Sequence, residues 1–228
     1  MRILFAGGGS VGHLAPSVAV WESVKNKSPN ASALFVCSSK KDDRKFLKTQ
    51  KVRKASLIAP KGNSLLFIVL FPIAIIQSFL ILIIFRPHVI FSKGGYVSVP
   101  ICLIGWAFRI PIVLHESDRV MGRANKFLMK FANHLCIGTP QKEISDDDVM
   151  TNLSIDITAT GNPIREKILT GSSDGGKRVT GFSGKRPVLL IIGGSQGAST
   201  INEIIWNALD SLVDICDIVH LTGRGKMN

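Results

Sequence analysis

Along the chain, short unbroken apolar runs alternate with segments whose apolar positions return every three or four residues. RILFA (2–6), ALFVC (33–37), HVIFS (88–92), IPIVLHES (110–117), LCIGT (135–139) and IDITATG (155–161) are short, rich in β-branched and aromatic residues, and flanked by turn residues. Such runs predict buried strands. Residues 14–25, the apolar stretch ending at Phe108, and residues 122–133 carry helical spacing. Strands alternating with helices predict an α/β fold: a parallel sheet with helices on both faces. Ligands in such sheets sit at the carboxyl ends of the strands. That places Gly7–His13, Lys93–Tyr96 and His115–Asp118 on one rim.

After IDITATG the pattern pauses. LTGSSDGGKRVTGFSGKR (169–186) is rich in glycine, serine and charge, and reads as a flexible loop. Then PVLLIIGGSQGASTINEIIWNAL (187–209) repeats the strand, glycine turn and helix with which the chain opens, and DIVHLTG (217–223) adds a strand. Two Rossmann-like units are expected, 1–163 and 164–228. A single β-α-β piece cannot cover both faces of its own sheet, so the second unit is expected to be incomplete.

One segment breaks the rhythm. Of the 21 residues from Leu65 to Phe85, 17 are Leu, Ile, Val or Phe, and only Pro72, Gln77 and Ser78 interrupt the greasy run apart from Ala74. A straight helix of that length is about 31 Å long and matches a bilayer core. Crossing would separate Gly7–His13 from Gly94–Tyr96, which must share one rim. Two helical pieces broken at Pro72 and dipping into one leaflet are expected instead. Leu65, Leu66, Phe67, Leu70, Phe71, Phe79, Leu80 and Phe85 are the expected lipid-facing residues. The basic stretch 40–61 is expected to add attraction to anionic headgroups.

Charge extends this picture. The 28 Lys and Arg outnumber the 16 Asp and Glu, for a net charge of +12, which favours an anionic partner. Aromatics make up 7% and include one tyrosine, too few to suggest single-strand stacking, so nucleic acid is not expected. Cys37, Cys102, Cys136 and Cys216 lack paired spacing and read as reduced thiols, not metal ligands. The opening residues are too short for a signal peptide's apolar region, so no secretory signal is expected.

Gly7, Gly9 and Gly12 spell the glycine fingerprint of dinucleotide-binding folds. A glycine turn between strand and helix offers N–H groups to an anion. NAD would call for an acidic residue just after the second strand. Ser38-Ser39-Lys40-Lys41 stands there, which disfavours NAD and leaves NADP open. His13 opens the following helix, within reach of any phosphate cradled by the loop.

GGSVGHLAP (8–16), SKGGYVSVP (92–100), PIVLHESD (111–118), GNPIR (161–165), and GGSQGA (193–198) with the following Ile201-Asn202 occur together in one order and spacing. In these motifs the chain resembles the MurG family, membrane-associated N-acetylglucosaminyltransferases that convert lipid I to lipid II. The resemblance covers essentially the whole sequence and implies the GT-B architecture. It also implies an inverting transfer of GlcNAc from UDP-GlcNAc to the 4-hydroxyl of the muramoyl sugar in lipid I. No cofactor is implied, and the protein would be peripheral, on the cytoplasmic face of the bacterial membrane.

By the same resemblance His13 is the implied base, with His115 a second candidate. Ser10, Val11, Gly12, Asp118, Arg165, Ser195 and Gln196 fall at donor-binding positions. Gly8, Gly9, Gly94, Gly95, Tyr96, His115 and Glu116 fall at acceptor-binding positions. Val11 stands where the family has glycine, and Asp118 where it has asparagine, replacing an amide that donates with an acceptor-only carboxylate. The family's later donor-binding segments have no counterpart within residue 228, so this stretch alone is expected to bind acceptor without turnover. The alternatives are an NADP-dependent oxidoreductase, or a non-catalytic remnant that binds membrane and lipid I.

Overall fold

The computed structural model describes residues 1–58, 66–139, 155–194, 196–223 and 225–226. The chain divides into two compact units, Met1–Glu166 and Lys167–Asn228.

The first unit is built on seven parallel strands: β1 (Arg2–Ala6), β2 (Ser32–Ser38), β3 (Lys54–Leu57), β4 (Val89–Ser92), β5 (Ile112–Glu116), β6 (His134–Ile137) and β7 (Asp156–Ala159). Their order is β3-β2-β1-β4-β5-β6-β7. The order turns back between β1 and β4, and that is where open α/β sheets form a binding crevice. Six strands match the apolar runs. The additional strand, β3, is Lys-Ala-Ser-Leu, an edge strand whose pattern carries almost no apolar signal.

Side chains alternate across the sheet as strand geometry requires. Ile3 and Phe5 pack with Phe35 and Cys37 beneath helices α1 (Val11–Lys27) and α2 (Lys41–Thr49). Leu4, Ala6, Ile90, Ile112 and Leu114 pack on the opposite face beneath α3 (Leu66–Phe85), α4 (Ser98–Ala107) and α5 (Arg123–Leu128). A 3₁₀ turn, Met129–Phe131, extends α5. The parallel sheet covered on both sides is therefore present, as the alternating pattern predicts.

Three expectations about the apolar segment are corrected. First, α3 is one helix through Pro72 rather than two pieces. Proline removes a single backbone donor, and packing against α4 holds the helix together across the gap. Second, Phe85 is not lipid-facing. It shares a buried stripe with Ala74, Ser78 and Leu82, positions that fall on one side of a helix. Ser78 is tolerated there because its hydroxyl donates to the Ala74 carbonyl at 2.7 Å, and Gln77 accepts the Ile58 N–H at 2.9 Å. Third, the exposed cations of α2 (Lys41, Arg44, Lys45 and Lys48) lie across the sheet from α3. Of the same basic stretch, 40–61, exposed Arg53 and Lys54 lie beside and on β3, which packs against α3, so only its α2 part is displaced; Lys61 lies outside the described residues. Exposed Arg86 and Arg109, at the ends of α3 and α4, flank the apolar helix as well.

Phe79 and Leu80 are exposed on α3 together with Val69, Ile73, Ile76, Ile83 and Ile84; Ile84 reaches 81%. Trp106, Phe108 and Phe127 continue this surface from α4 and α5. Leu70 and Phe71 are half-buried, and Leu65 lies outside the described residues, as do the side chains of Leu66 and Phe67. Among the described residues no helix is long and apolar enough to cross a membrane. Both ends of α3 also return to the same sheet, through β3 and β4.

The second unit pairs β8 (Val188–Ile192) with β9 (Asp217–Leu221) in parallel, joined through α8 (Ser199–Asn207) and α9 (Leu209–Ile215). It also corrects the loop expected over 169–186. After a short turn, α6 (Glu166–Leu169), residues Ser173–Thr180 form a helix, α7. Ser172 caps it by accepting the Gly175 N–H, and Gly181 closes it in the left-handed region at φ 74°. Both caps stabilise a sequence poor in apolar residues.

Candidate active site

The first unit carries a cavity of about 960 Å³ at the crevice between β1 and β4. Ser10, Gly12, His13, Gly94, Gly95, Tyr96, Glu116 and Asp118 line it, so eight of the expected site residues meet there. Lys93, Ser117, Arg123 and Asn125 complete the polar wall, and Phe71, Val99 and Phe127 form an apolar one. Three strand ends supply these groups because β1, β4 and β5 are neighbours in register.

The glycine loop is not a vacant phosphate cradle. The Gly9 N–H donates to Asp43 Oδ2 at 2.7 Å, and the Ser38 hydroxyl donates to the same oxygen at 2.6 Å. Asp43 is 1% exposed, so a protein carboxylate already sits where a dinucleotide phosphate would accept. Lys40 Nζ closes the loop from outside by donating to the Gly9 carbonyl at 3.1 Å. Gly9 must be glycine, because its φ is +92° and a Cβ would lie 2.5 Å from the Tyr96 ring. Val11 meets no such constraint: it is the first residue of α1 and has no positive φ. Gly8, Gly9 and Val11 support the cavity without lining it. Sequence reasoning missed Asp43. The available signal was an acidic residue in the first turn of the helix after the second strand.

His13 is half-buried, and its Nδ1 lies 3.2 Å from the Lys93 carbonyl. A carbonyl only accepts, so Nδ1 carries the proton and Nε2 holds the lone pair. Nε2 faces Gly95, where an added Cβ would sit 3.6 Å away. The backbone after β4 thus selects the tautomer whose basic nitrogen lies over the Gly94–Gly95 turn.

His115 differs. It is 2% exposed and does not line the cavity. Its Nε2 lies 3.1 Å from the Gly161 carbonyl, and its buried Nδ1 has no partner among the described residues. Burial foremost, then the Lys93 charge, pushes its pKa down to about 4. This histidine braces the strand ends. Glu116 is also a brace: Oε1 accepts the N–H groups of Ser117 and Asp118 at 2.9 and 3.1 Å. Its Oε2 accepts from Gly122 N and Asn125 Nδ2, both at 2.9 Å. Four donors on one carboxylate hold the 117–122 loop open over the cavity.

Arg165 does not join this group. Its guanidinium lies over the Phe46 ring at 5.8 Å, on the α2 side of the sheet. The backbone there is held to α1, with the Glu166 N–H donating to Glu22 Oε2 at 3.2 Å. Gln196 belongs to the second unit, in the Gly193–Gly197 turn after β8, and Ser195 lies outside the described residues.

Comparison with known proteins gives this geometry a context. The Glycosyltransferase family 28 N-terminal domain matches residues 3–137. A Bacillus cereus UDP-N-acetylglucosamine–N-acetylmuramyl-(pentapeptide) pyrophosphoryl-undecaprenol N-acetylglucosamine transferase is 32% identical over 237 aligned residues; the match covers 100% of this chain and 64% of the relative. The chain thus spans under two thirds of that relative's length. Among solved structures, Acinetobacter baumannii MurG aligns with a TM-score of 0.65 at 22% identity, over 98% of this chain and 59% of that one. A UDP-GlcNAc 2-epimerase from Neisseria meningitidis, bound to UDP-GlcNAc, aligns at 0.66 and 15% identity, over 97% and 66%. Both likenesses concern the fold.

Proposed function

The chain belongs to glycosyltransferase family 28, and from that membership we propose that its first unit is the acceptor-binding half of an inverting transferase. The reaction moves GlcNAc from UDP-GlcNAc to the 4-hydroxyl of the muramoyl sugar in lipid I, in keeping with the names of its relatives.

The observation that carries this reading is the His13 tautomer. With Nδ1–H committed to the Lys93 carbonyl, Nε2 is a base facing the cavity. In the transfer, the sugar oxygen forms a bond to the anomeric carbon of GlcNAc as the bond from that carbon to the diphosphate breaks. The hydroxyl proton passes to His13 Nε2, and UDP leaves with the electron pair. A positioned imidazole with a free lone pair suits that role. The Gly193–Gly197 turn of the second unit, with Ser195 and Gln196, is proposed to meet the donor diphosphate, as glycine turns at helix starts do.

The apolar wall of Phe71, Val99 and Phe127 adjoins the exposed face of α3 to α5. We assign that face to the membrane surface, with Arg86 and Arg109 toward anionic headgroups. A lipid-linked acceptor could then reach the cavity without leaving the bilayer. The NADP reading loses its site, since Asp43 takes the loop amide.

The test is radiolabelled GlcNAc transfer to a lipid I analogue, with residues 1–228 grafted onto the remaining length of the Bacillus cereus relative. His13→Ala is expected to lower kcat by ~10²–10⁴-fold, the usual worth of general-base catalysis, with little change in donor affinity. An unchanged kcat would remove His13 from the chemistry.

A further inference from the structure

Lys93 is the first residue after β4, at the crevice, and it is 4% exposed. Its ammonium carries three donors. Among the described residues it has one hydrogen-bond partner, the Ser117 hydroxyl at 2.5 Å. Glu116 is near enough to be felt, but its oxygens are filled by four other donors. Asp118 is exposed, and no described carboxylate comes within ion-pair distance of Lys93. A buried cation without a paired anion is costly, and burial lowers the Lys93 pKa below its ordinary value. Such a group persists where something else supplies the anion.

The surroundings indicate which anion. Lys93 opens directly onto the Gly94–Gly95 turn, whose φ values of +78° and +80° favour glycine and whose backbone lines the cavity. Arg123 adds a second cation to the wall, and Phe71, Val99 and Phe127 continue it as an apolar surface. Charge and grease therefore lie in sequence along one cavity.

We propose that Lys93 is a specificity-determining residue for the acceptor: its ammonium holds the diphosphate of a prenyl-linked substrate against the Gly94–Gly95 turn, and Ser117 positions the ammonium. This rests on the reading of the first unit as the acceptor half. It differs from the His13 role in touching the anionic group and not the reacting hydroxyl.

The test is calorimetric titration of the chain with farnesyl diphosphate, with farnesol, and with UDP. Lys93→Met is expected to weaken farnesyl diphosphate binding by ~10–100-fold, the worth of one charge-assisted hydrogen bond. Farnesol and UDP affinities should stay within twofold of the unsubstituted chain. Lys93→Arg should restore most of the diphosphate affinity. In the unsubstituted chain that affinity should fall as pH rises toward the lowered lysine pKa, a dependence that Lys93→Met abolishes. Melting temperature is followed in parallel; Met fills the stem's volume and removes an unpaired charge, so it should not fall. Equal farnesyl diphosphate affinity in the Met variant at unchanged Tm would overturn the proposal. So would equal losses for farnesol, which mark a packing role, or a loss confined to UDP, which assigns Lys93 to the donor. Lys93-dependent diphosphate binding in a chain whose graft fails to transfer GlcNAc would sink the transferase reading and leave this one standing.

Discussion

Removing Asp43 tests whether the glycine loop is held by the protein itself. In Asp43→Ala, the Gly9 N–H and the Ser38 hydroxyl both lose their acceptor, and Ser38 is only 2% exposed. A hydrogen bond to a charged group contributes about 1.5–3 kcal/mol, so two contribute roughly 3–6 kcal/mol. Relief from burying a carboxylate offsets part of this. The net expected loss is about 2–4 kcal/mol. In a unit of this size each kcal/mol lowers Tm by roughly 2–4 °C. Urea unfolding followed by tryptophan fluorescence reads the change, because Trp21 packs edge-on against Phe5 in the same core layer, at 6.3 Å. Asp43→Asn keeps an acceptor oxygen and should lose about half as much. The vacated amide should also begin to take anions, so millimolar phosphate should stabilise Asp43→Ala more than the unsubstituted chain. An Asp43→Ala variant within about 0.5 kcal/mol of the parent, with no phosphate response, would show that the loop does not depend on this carboxylate.

Acid should destabilise the first unit through His115. Its pKa is about 4 in the fold against 6.5 ordinarily, so between those values the unfolded chain binds a proton that the native state refuses. Stability should therefore fall as pH drops from about 6.5 to 4, by at most about 3 kcal/mol. His115→Gln, which can still donate toward Gly161, should flatten that slope; a slope unaltered by the substitution assigns it to other groups. On the surface, Ile84→Asp should weaken sedimentation with anionic vesicles at least tenfold while leaving Tm nearly unchanged, since Ile84 is 81% exposed. Lys48→Glu, on the opposite layer, should alter vesicle binding far less. Equal effects of the two would refute the assignment of the membrane surface to α3.

Much of the first unit was legible in the chain because burial in a parallel sheet leaves a local mark. Six β-branched runs announced six strands, and their carboxyl ends announced the rim where His13, Gly94, Gly95 and Glu116 meet. Where burial leaves no such mark, the reading failed. β3 is an edge strand with one buried leucine, and α7 is held by its caps rather than by an apolar face. In α3 almost every position is apolar, so periodicity could not say that Phe85 turns inward and Ile84 outward. Nor could it say that Pro72 leaves the helix whole; packing against α4 decided that. The site's electrostatics were beyond local pattern for a further reason. Asp43 reaches Gly9 across 34 residues and Lys93 reaches Ser117 across 24. Whether a charge is paired depends on which strand ends become neighbours, and strand order is a property of the assembled sheet.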